Sequence, residues 1–167
     1  SVLKVEGTYH LFYCTFQQNP KRETIRHAVS RDLSSWETLE EDSFTPDGVL
    51  YDLTDWRDPF VFWNEAEREW WMLVAAKEMG KTARRGCTGL CASKDLHHWE
   101  LREPFYAPHL HTSAHECPDL FRMGDWYYLI YSQYTDRFQT YYRMSRSLAG
   151  PWIAPETDSF DTRCFYC

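Results

Sequence analysis

Two acidic residues of this sequence stand in similar surroundings and could supply a catalytic acid and a second carboxylate. Glu116 lies in the segment His115 to Phe121, and Asp58 lies in the segment Trp56 to Phe62. In both segments the acid precedes a proline and an apolar stretch. Two neighbouring carboxyl groups can separate each other's pKa values, which suits acid–base chemistry. The two segments therefore predict a site at which carboxylates are gathered.

Each acid stands at the head of a predicted β-hairpin. The segments Trp126 to Tyr131 and Trp70 to Val74 are rich in aromatic and β-branched residues, which favours strands that pair with the acid-bearing segments. A spacing of 58 residues (116 − 58) separates the two acids. This spacing is close to the length of an internal repeat.

The motif Ser-x-Asp-Leu-x-x-Trp-Glu occurs at residues 30–37 and again at 93–100, an offset of 63 residues (93 − 30). A weaker third copy covers residues 145–152. Repeats of this size that contain several short strands and no convincing amphipathic helix predict the blades of a β-propeller. The repeated acids Asp32 and Asp95 are expected to hold tight turns, so we assign both to structure rather than to catalysis.

The predicted fold class is all-β, with the whole chain inside a single β-propeller domain. Blades are expected at about residues 1–50, 51–110 and 111–158, and residues 159–167 are expected to begin a fourth blade. The innermost strands of a propeller run side by side along a central channel. Because the first residues of successive blades meet at one mouth, this fold would bring Asp58 and Glu116 together.

Composition limits the possible partners. Over 167 residues the formal net charge is −7, and lysine and arginine are scattered along the chain, which argues against binding to nucleic acid or to anionic membranes. No apolar run reaches the length that a bilayer requires, so we expect a soluble protein, either cytoplasmic or secreted. Aromatic residues make up 17% of the chain, and they could either pack within sheets or stack on sugar rings.

Six cysteines are too few for a disulfide-rich scaffold of this length, and buried free thiols are the preferred interpretation. The alternative is a zinc site that combines Cys87 and Cys91 with Cys164 and Cys167. The first pair has an unusual spacing for zinc, and both pairs lie in strand-like sequence. We therefore predict no metal and no cofactor.

The motifs resemble those of glycoside hydrolase family 32, the invertase, levanase and inulinase group, which belongs to a clan of five-bladed propellers. The resemblance is carried by Trp56-Arg57-Asp58-Pro59 and by the segment Glu116 to Phe121, with support from Tyr9 to Tyr13 and the repeated turns. It extends over essentially the whole chain. The resemblance implies part of a five-bladed β-propeller that acts on a carbohydrate.

The resemblance also implies roles for individual residues. Glu116 would be the general acid/base and Asp58 would stabilise the transition state, in a retaining mechanism on β-fructosides such as sucrose, levan or inulin. Substrate binding is expected from the neighbours of the two acids, namely Trp56, Arg57, His115 and Cys117. A structural ion pair for Arg57 and a packing role for His115 remain open.

Two departures from the family pattern affect the predicted site. The nucleophilic aspartate of the family's Asn-Asp-Pro motif is missing, and counting back along the hairpins places it just before Ser1. We therefore expect that these 167 residues lack both the nucleophile and the closing blades, and that they are inactive by themselves. Where the family usually has a glutamine, this chain has Cys14.

Two other functions remain possible at this stage. One is an inverting arabinan- or xylan-active glycosidase of the same clan, which would release the opposite anomer. The other is a carbohydrate-binding propeller without catalytic activity. An acid just upstream of Ser1 would favour the enzyme.

Overall fold

A computed structural model describes residues 1–134 and 138–159. The described residues form three antiparallel sheets made of consecutive strands, and they contain no helix, so the predicted all-β class is confirmed. In this part of the chain there is accordingly no helical segment with the length and apolarity needed to cross a membrane. The predicted start of a fourth blade lies almost entirely in residues 160–167, outside the described residues.

Each sheet is a meander in which every strand pairs with the next one along the chain. Sheet 1 contains β1 (Val2–Val5), β2 (Thr8–Gln18), β3 (Lys21–Ser30) and β4 (Glu37–Phe44). Sheet 2 contains β5 (Tyr51–Asn64), β6 (Glu69–Glu78), β7 (Gly86–Ser93) and β8 (Glu100–Tyr106). Sheet 3 contains β9 (Glu116–Met123), β10 (Trp126–Gln133) and β11 (Gln139–Ser145).

The hydrophobic core lies in two clusters that join neighbouring sheets. The first cluster combines Phe12 and Ile25 of sheet 1 with residues of sheet 2, including Trp56 and Met72. The second combines Leu73 of sheet 2 with residues of sheet 3, including Leu129 and Tyr131 of β10. Because side chains alternate along a strand, adjacent residues of β6 enter different clusters. Sheet 2 is therefore packed on both faces.

The repeated motif builds the same turn in sheets 1 and 2. Asp32 Oδ1 accepts the backbone N–H groups of Ser34 and Ser35, both at 2.8 Å. Asp95 Oδ1 accepts the equivalent N–H groups of the second copy, at 2.9 and 2.8 Å. These bonds satisfy backbone donors that the turn leaves without strand partners. The predicted structural role of Asp32 and Asp95 is confirmed.

The cysteines divide into two groups. Cys87 and Cys91 are free and fully buried in β7, as predicted. Cys14 and Cys117 are free but exposed, so the prediction of buried thiols is wrong for these two. Both lie near Asp58. Cys164 and Cys167 are outside the described residues.

Candidate active site

Local irregularities of β5 and β9 present the two predicted acids. The pairing of β5 with β6 shifts register between Arg57 and Phe60, and Asp58 within this bulge has a φ of 56°. The pairing of β9 with β10 is likewise irregular near its start, where Cys117 has a φ of 47°. Bulges change the direction of side chains and are frequent beside active sites. The proline after each acid fits such a place, since it has no N–H to donate to the sheet.

Asp58 and Glu116 meet where sheets 2 and 3 adjoin. Asp58 Oδ2 accepts the backbone N–H of Cys117 at 3.0 Å, which fixes the two acid-bearing segments to each other. A side-chain hydrogen bond and the charge of Asp58 both act on the carboxyl group of Glu116. The convergence that the repeat spacing predicted is therefore present.

Arg57 binds Glu116 and holds it in position. Arg57 Nε donates to Glu116 Oε2 at 3.1 Å, and Arg57 Nη2 donates to Glu116 Oε1. The remaining nitrogen, Nη1, donates to Glu23 Oε2 at 2.8 Å and to Asp55 Oδ1 at 3.0 Å. A planar guanidinium with several fixed donors is suited to such a cluster. Arg57 thus forms the ion pair that the sequence left open and lies beside the predicted acid/base.

Burial raises the pKa of Glu116 above its usual value, even though the bonds and charge of Arg57 lower it and those of Asp58 raise it again. The side chain of Glu116 is only 7% exposed. A carboxylic acid that stays protonated at higher pH than usual is what proton donation to a leaving group requires. Geometry and electrostatics therefore both suit Glu116 to act as a general acid.

Sequence reasoning missed the acid Glu23 and the phenol Tyr134. Glu23 is buried in β3 and also accepts the backbone N–H of Trp56 at 2.6 Å. Its position on the same face as Ile25 and His27 was the available signal, because a charged residue at an apolar position needs a partner. Tyr134 lies close enough to Glu116 to hydrogen-bond its carboxyl group, and burial and Glu116 raise the pKa of the phenol.

Burial argues against two of the predicted sugar contacts. The indole of Trp56 is 0% exposed and packs against Tyr51 and Phe44. It therefore belongs to the core next to the site and has no exposed ring face on which a sugar could stack. His115 is also 0% exposed and stacks on Tyr131 with ring centroids 4.0 Å apart. Burial lowers the pKa of His115 well below its usual value, so the ring stays neutral. These contacts agree with a packing role for His115, the alternative to sugar contact that the sequence left open.

The exposed side chains of Cys14 and Cys117 border Asp58. The backbone N–H of Asp58 donates a hydrogen bond to the thiol of Cys14, and burial raises the pKa of that thiol. Burial, together with the negative charge of Asp58, raises the pKa of Cys117 to about 11. Neither thiol is therefore a ready thiolate at neutral pH. Substrate contact by Cys117 remains a prediction.

The first residue of the chain lies beside the same site. The amino group of Ser1 donates to the carbonyl oxygen of Pro59 at 3.1 Å and to that of Phe12 at 2.8 Å. Strand β1 thus starts next to Asp58, at the border of sheets 1 and 2.

The sequence profile of the N-terminal domain of glycosyl hydrolases family 32 matches residues 43–161, a stretch that contains both acids. The chain belongs to this family. A sucrose-6-phosphate hydrolase from Escherichia coli is 34% identical over 129 residues, which cover 71% of this chain and 25% of that protein. An extracellular exo-inulinase from Aspergillus niger is 25% identical over 113 residues, 65% of this chain and 20% of that enzyme.

Solved structures of related enzymes show the fold of this family 32 chain. A levansucrase mutant from Bacillus subtilis has a TM-score of 0.70 at 18% identity and covers 89% of this chain and 50% of its own. A Bombyx mori β-fructofuranosidase mutant in complex with sucrose has a TM-score of 0.67 at 22% identity, and the match covers 87% of this chain and 33% of that enzyme. The predicted partial five-bladed β-propeller is confirmed, while the predicted blade boundaries stay a prediction.

Proposed function

We propose that the whole protein hydrolyses β-fructosidic bonds, with Glu116 as general acid/base and Asp58 as stabiliser of the transition state. The observation that supports this most directly is the buried Glu116, whose pKa is raised although Arg57 binds it. The chain spans about a quarter of the length of the sucrose-6-phosphate hydrolase that it matches. Its family and its carboxylate site are the basis of the proposal.

The proposed reaction has two displacements. In the first, protonated Glu116 gives its proton to the leaving oxygen while a carboxylate attacks the anomeric carbon, so that a fructosyl ester forms. In the second, Glu116 takes a proton from water, which attacks the ester and releases fructose. Asp58 would stabilise the positive charge that the ring develops in both transition states.

The substrate class follows from the relatives. Their printed names are sucrose-6-phosphate hydrolase, exo-inulinase and levanase, so sucrose, inulin and levan are the substrates that we propose to test. The anomer of the initial product distinguishes this proposal from an inverting glycosidase. A retaining enzyme releases β-fructofuranose, which NMR detects before mutarotation.

Substitution of the two acids tests the assigned roles. We expect Glu116→Gln in the whole protein to lower kcat by about 10²–10⁴, most strongly for substrates with poor leaving groups.

Asp58→Asn should lower kcat more than it raises KM, because the interaction of the Asp58 carboxylate with the sugar ring strengthens in the transition state. Glu100→Gln, at an exposed position of β8, is the control and should leave both constants unchanged. Undiminished turnover of Glu116→Gln on sucrose would refute the acid/base role.

A further inference from the structure

A second cluster of chemically active side chains lies at the junction of sheets 1 and 2. His27 of β3 and Asp42 of β4 face His97, which belongs to the turn after β7. Asp42 Oδ2 is 2.6 Å from His27 Nδ1 and 2.7 Å from His97 Nδ1. One atom from each residue lies within 4.8 Å of the atoms from the other two. Three ligands of the types that bind transition metals therefore converge from two sheets.

The burial of the three residues leaves one open side. The side chain of His27 is 1% exposed and that of Asp42 is 7% exposed, whereas that of His97 is 41% exposed. Two ligands are thus held rigidly inside the junction, and the third borders solvent. This arrangement gives an ion a path of entry and leaves room for a water ligand.

His10 contacts the His27 ring on the side opposite Asp42. Its Nδ1 lies 3.0 Å from Nε2 of His27, the ring nitrogen that faces away from Asp42. Imidazoles that bind metals generally hydrogen-bond through their second nitrogen, which fixes the tautomer and the ring orientation.

The repeat shows that a histidine is not needed for the turn. The backbone N–H of His97 binds Asp95, and that of the equivalent Ser34 binds Asp32 in the same way. In the third copy the equivalent residue is Ala149. Since the turn forms with serine, the imidazole of His97 is an addition to the turn, and it faces His27 and Asp42 of the neighbouring sheet.

We propose that His27 Nδ1, the Asp42 carboxylate and His97 Nδ1 bind one divalent transition-metal ion of the zinc type, with water as a further ligand. Two imidazoles and one carboxylate suit zinc and its neighbours better than calcium or magnesium, which prefer oxygen ligands. In tetrahedral zinc sites neighbouring ligand atoms lie about 3.3 Å apart. The distances from Asp42 Oδ2 to the two imidazole nitrogens are 2.6 and 2.7 Å, so binding would move Asp42 and the exposed His97 apart by about 0.6–0.7 Å.

The ion would join sheet 1 to sheet 2 and would stabilise the protein. On binding, His27 would use its Nδ1 lone pair and turn Nε2–H towards His10 as a donor. The competing possibility is a closed hydrogen-bond network in which Asp42 accepts N–H groups from both imidazoles. The two possibilities differ in whether added metal changes the protein.

Titration of chelator-treated protein with Zn²⁺ tests the proposal. We expect one ion per chain by calorimetry, a rise of about 5 °C in Tm at saturating Zn²⁺, and visible absorption bands with Co²⁺. His97→Ser, which installs the residue of the first repeat, should weaken Zn²⁺ binding by about 100-fold or more. His98→Ser is the matched control. The imidazole of His98 is exposed, bonds Asp95 and is not one of the three proposed ligands, so this variant should bind Zn²⁺ like the wild type.

Several results would overturn the proposal. One is the absence of Zn²⁺ binding by the wild-type protein, and another is equal affinity of the wild type and His97→Ser. Equal Tm shifts with Mg²⁺ or Ca²⁺ would also contradict it, because they would indicate a general ionic effect. Circular dichroism of His97→Ser without metal verifies the fold, and we expect the wild-type spectrum because Ser34 supports the same turn.

Discussion

At the scale of single residues, Arg57 opposes the effect of burial on the pKa of Glu116. Its guanidinium is 16% exposed and binds three buried or nearly buried acids, Glu116, Glu23 and Asp55. Arg57→Gln would leave these carboxylates without their partner, and removal of one member of a buried ion pair costs about 3–5 kcal/mol of the free energy of unfolding. Because Arg57 lowers the pKa of Glu116, its loss raises that pKa further.

The sign of the pH dependence follows from this shift. A carboxyl group with a raised pKa in the folded state stabilises the protein below its unfolded pKa, and this contribution is lost as pH rises through the folded pKa. We therefore expect the cost of Arg57→Gln in urea unfolding to be larger at pH 8 than at pH 5. The alkaline limb of the kcat profile should move to higher pH. Arg26→Gln breaks a surface pair with Glu40 and should cost under about 1 kcal/mol at both pH values.

The sequence predicted that Asp58 and Glu116 would meet, as they do in the structure, but it did not predict all of their neighbours. Asp58 and Glu116 could be found because each precedes a proline at the head of a repeated hairpin. Glu23 escaped notice because its partner Arg57 lies 34 residues away and in another sheet. Trp56 was expected to contact sugar because it lies two residues from Asp58, yet its indole is buried against Tyr51 and Phe44. The register shift between Arg57 and Phe60 breaks the alternation that would otherwise place residues 56 and 58 on one face.

At the scale of elements, the start of β7 anchors the segment that delivers Glu116. The N–H of Gly86 donates to the carbonyl oxygen of His111 at 2.9 Å, and the N–H of His115 donates to that of Cys87 at 3.3 Å. A Cβ on Gly86 would lie 1.7 Å from the carbonyl oxygen of Ser113. The backbone of this segment therefore approaches β7 more closely than any side chain allows.

We predict that Gly86→Ala lowers the free energy of unfolding by about 2 kcal/mol or more, because the backbone must move apart. The displaced segment should also carry Glu116 out of position, and shifts of this kind cost about 10²-fold in kcat. Gly80→Ala is the control, since its Cβ would meet only the flexible side chain of Arg85 at 3.5 Å. Wild-type stability and kcat in Gly86→Ala would contradict the close approach.

The hairpins and turns were predictable because their signals are local. Enrichment in aromatic and β-branched residues indicated β6 and β10, and the repeated Ser-x-Asp-Leu motif indicated the turns. The register shifts of β5 and β9 were not predictable, since a bulge depends on pairing with a distant strand. The approach of residues 111–114 to β7 has the same origin, because glycine alone does not reveal which backbone comes near it.

At the scale of the whole molecule, β6 couples the two hydrophobic clusters. Met72 and Val74 lie in the cluster shared with sheet 1, while Leu73 between them lies in the cluster shared with sheet 3. A change on either face of this strand disturbs the backbone that supports the other face. The three sheets should therefore unfold as one cooperative unit, although the clusters share no side chain.

Leu73→Ala tests this coupling. Leu73 is 0% exposed, and truncation of a buried leucine costs about 2–5 kcal/mol of the free energy of unfolding. Hydrogen exchange followed by mass spectrometry should show β3 of sheet 1 and β10 of sheet 3 losing protection at the same, lowered urea concentration. Leu53→Ala, at a position that is 55% exposed, is the control and should change stability by less than about 0.5 kcal/mol. If β10 lost protection at lower urea while β3 kept its wild-type midpoint, the sheets would be independent units and β6 would not couple them.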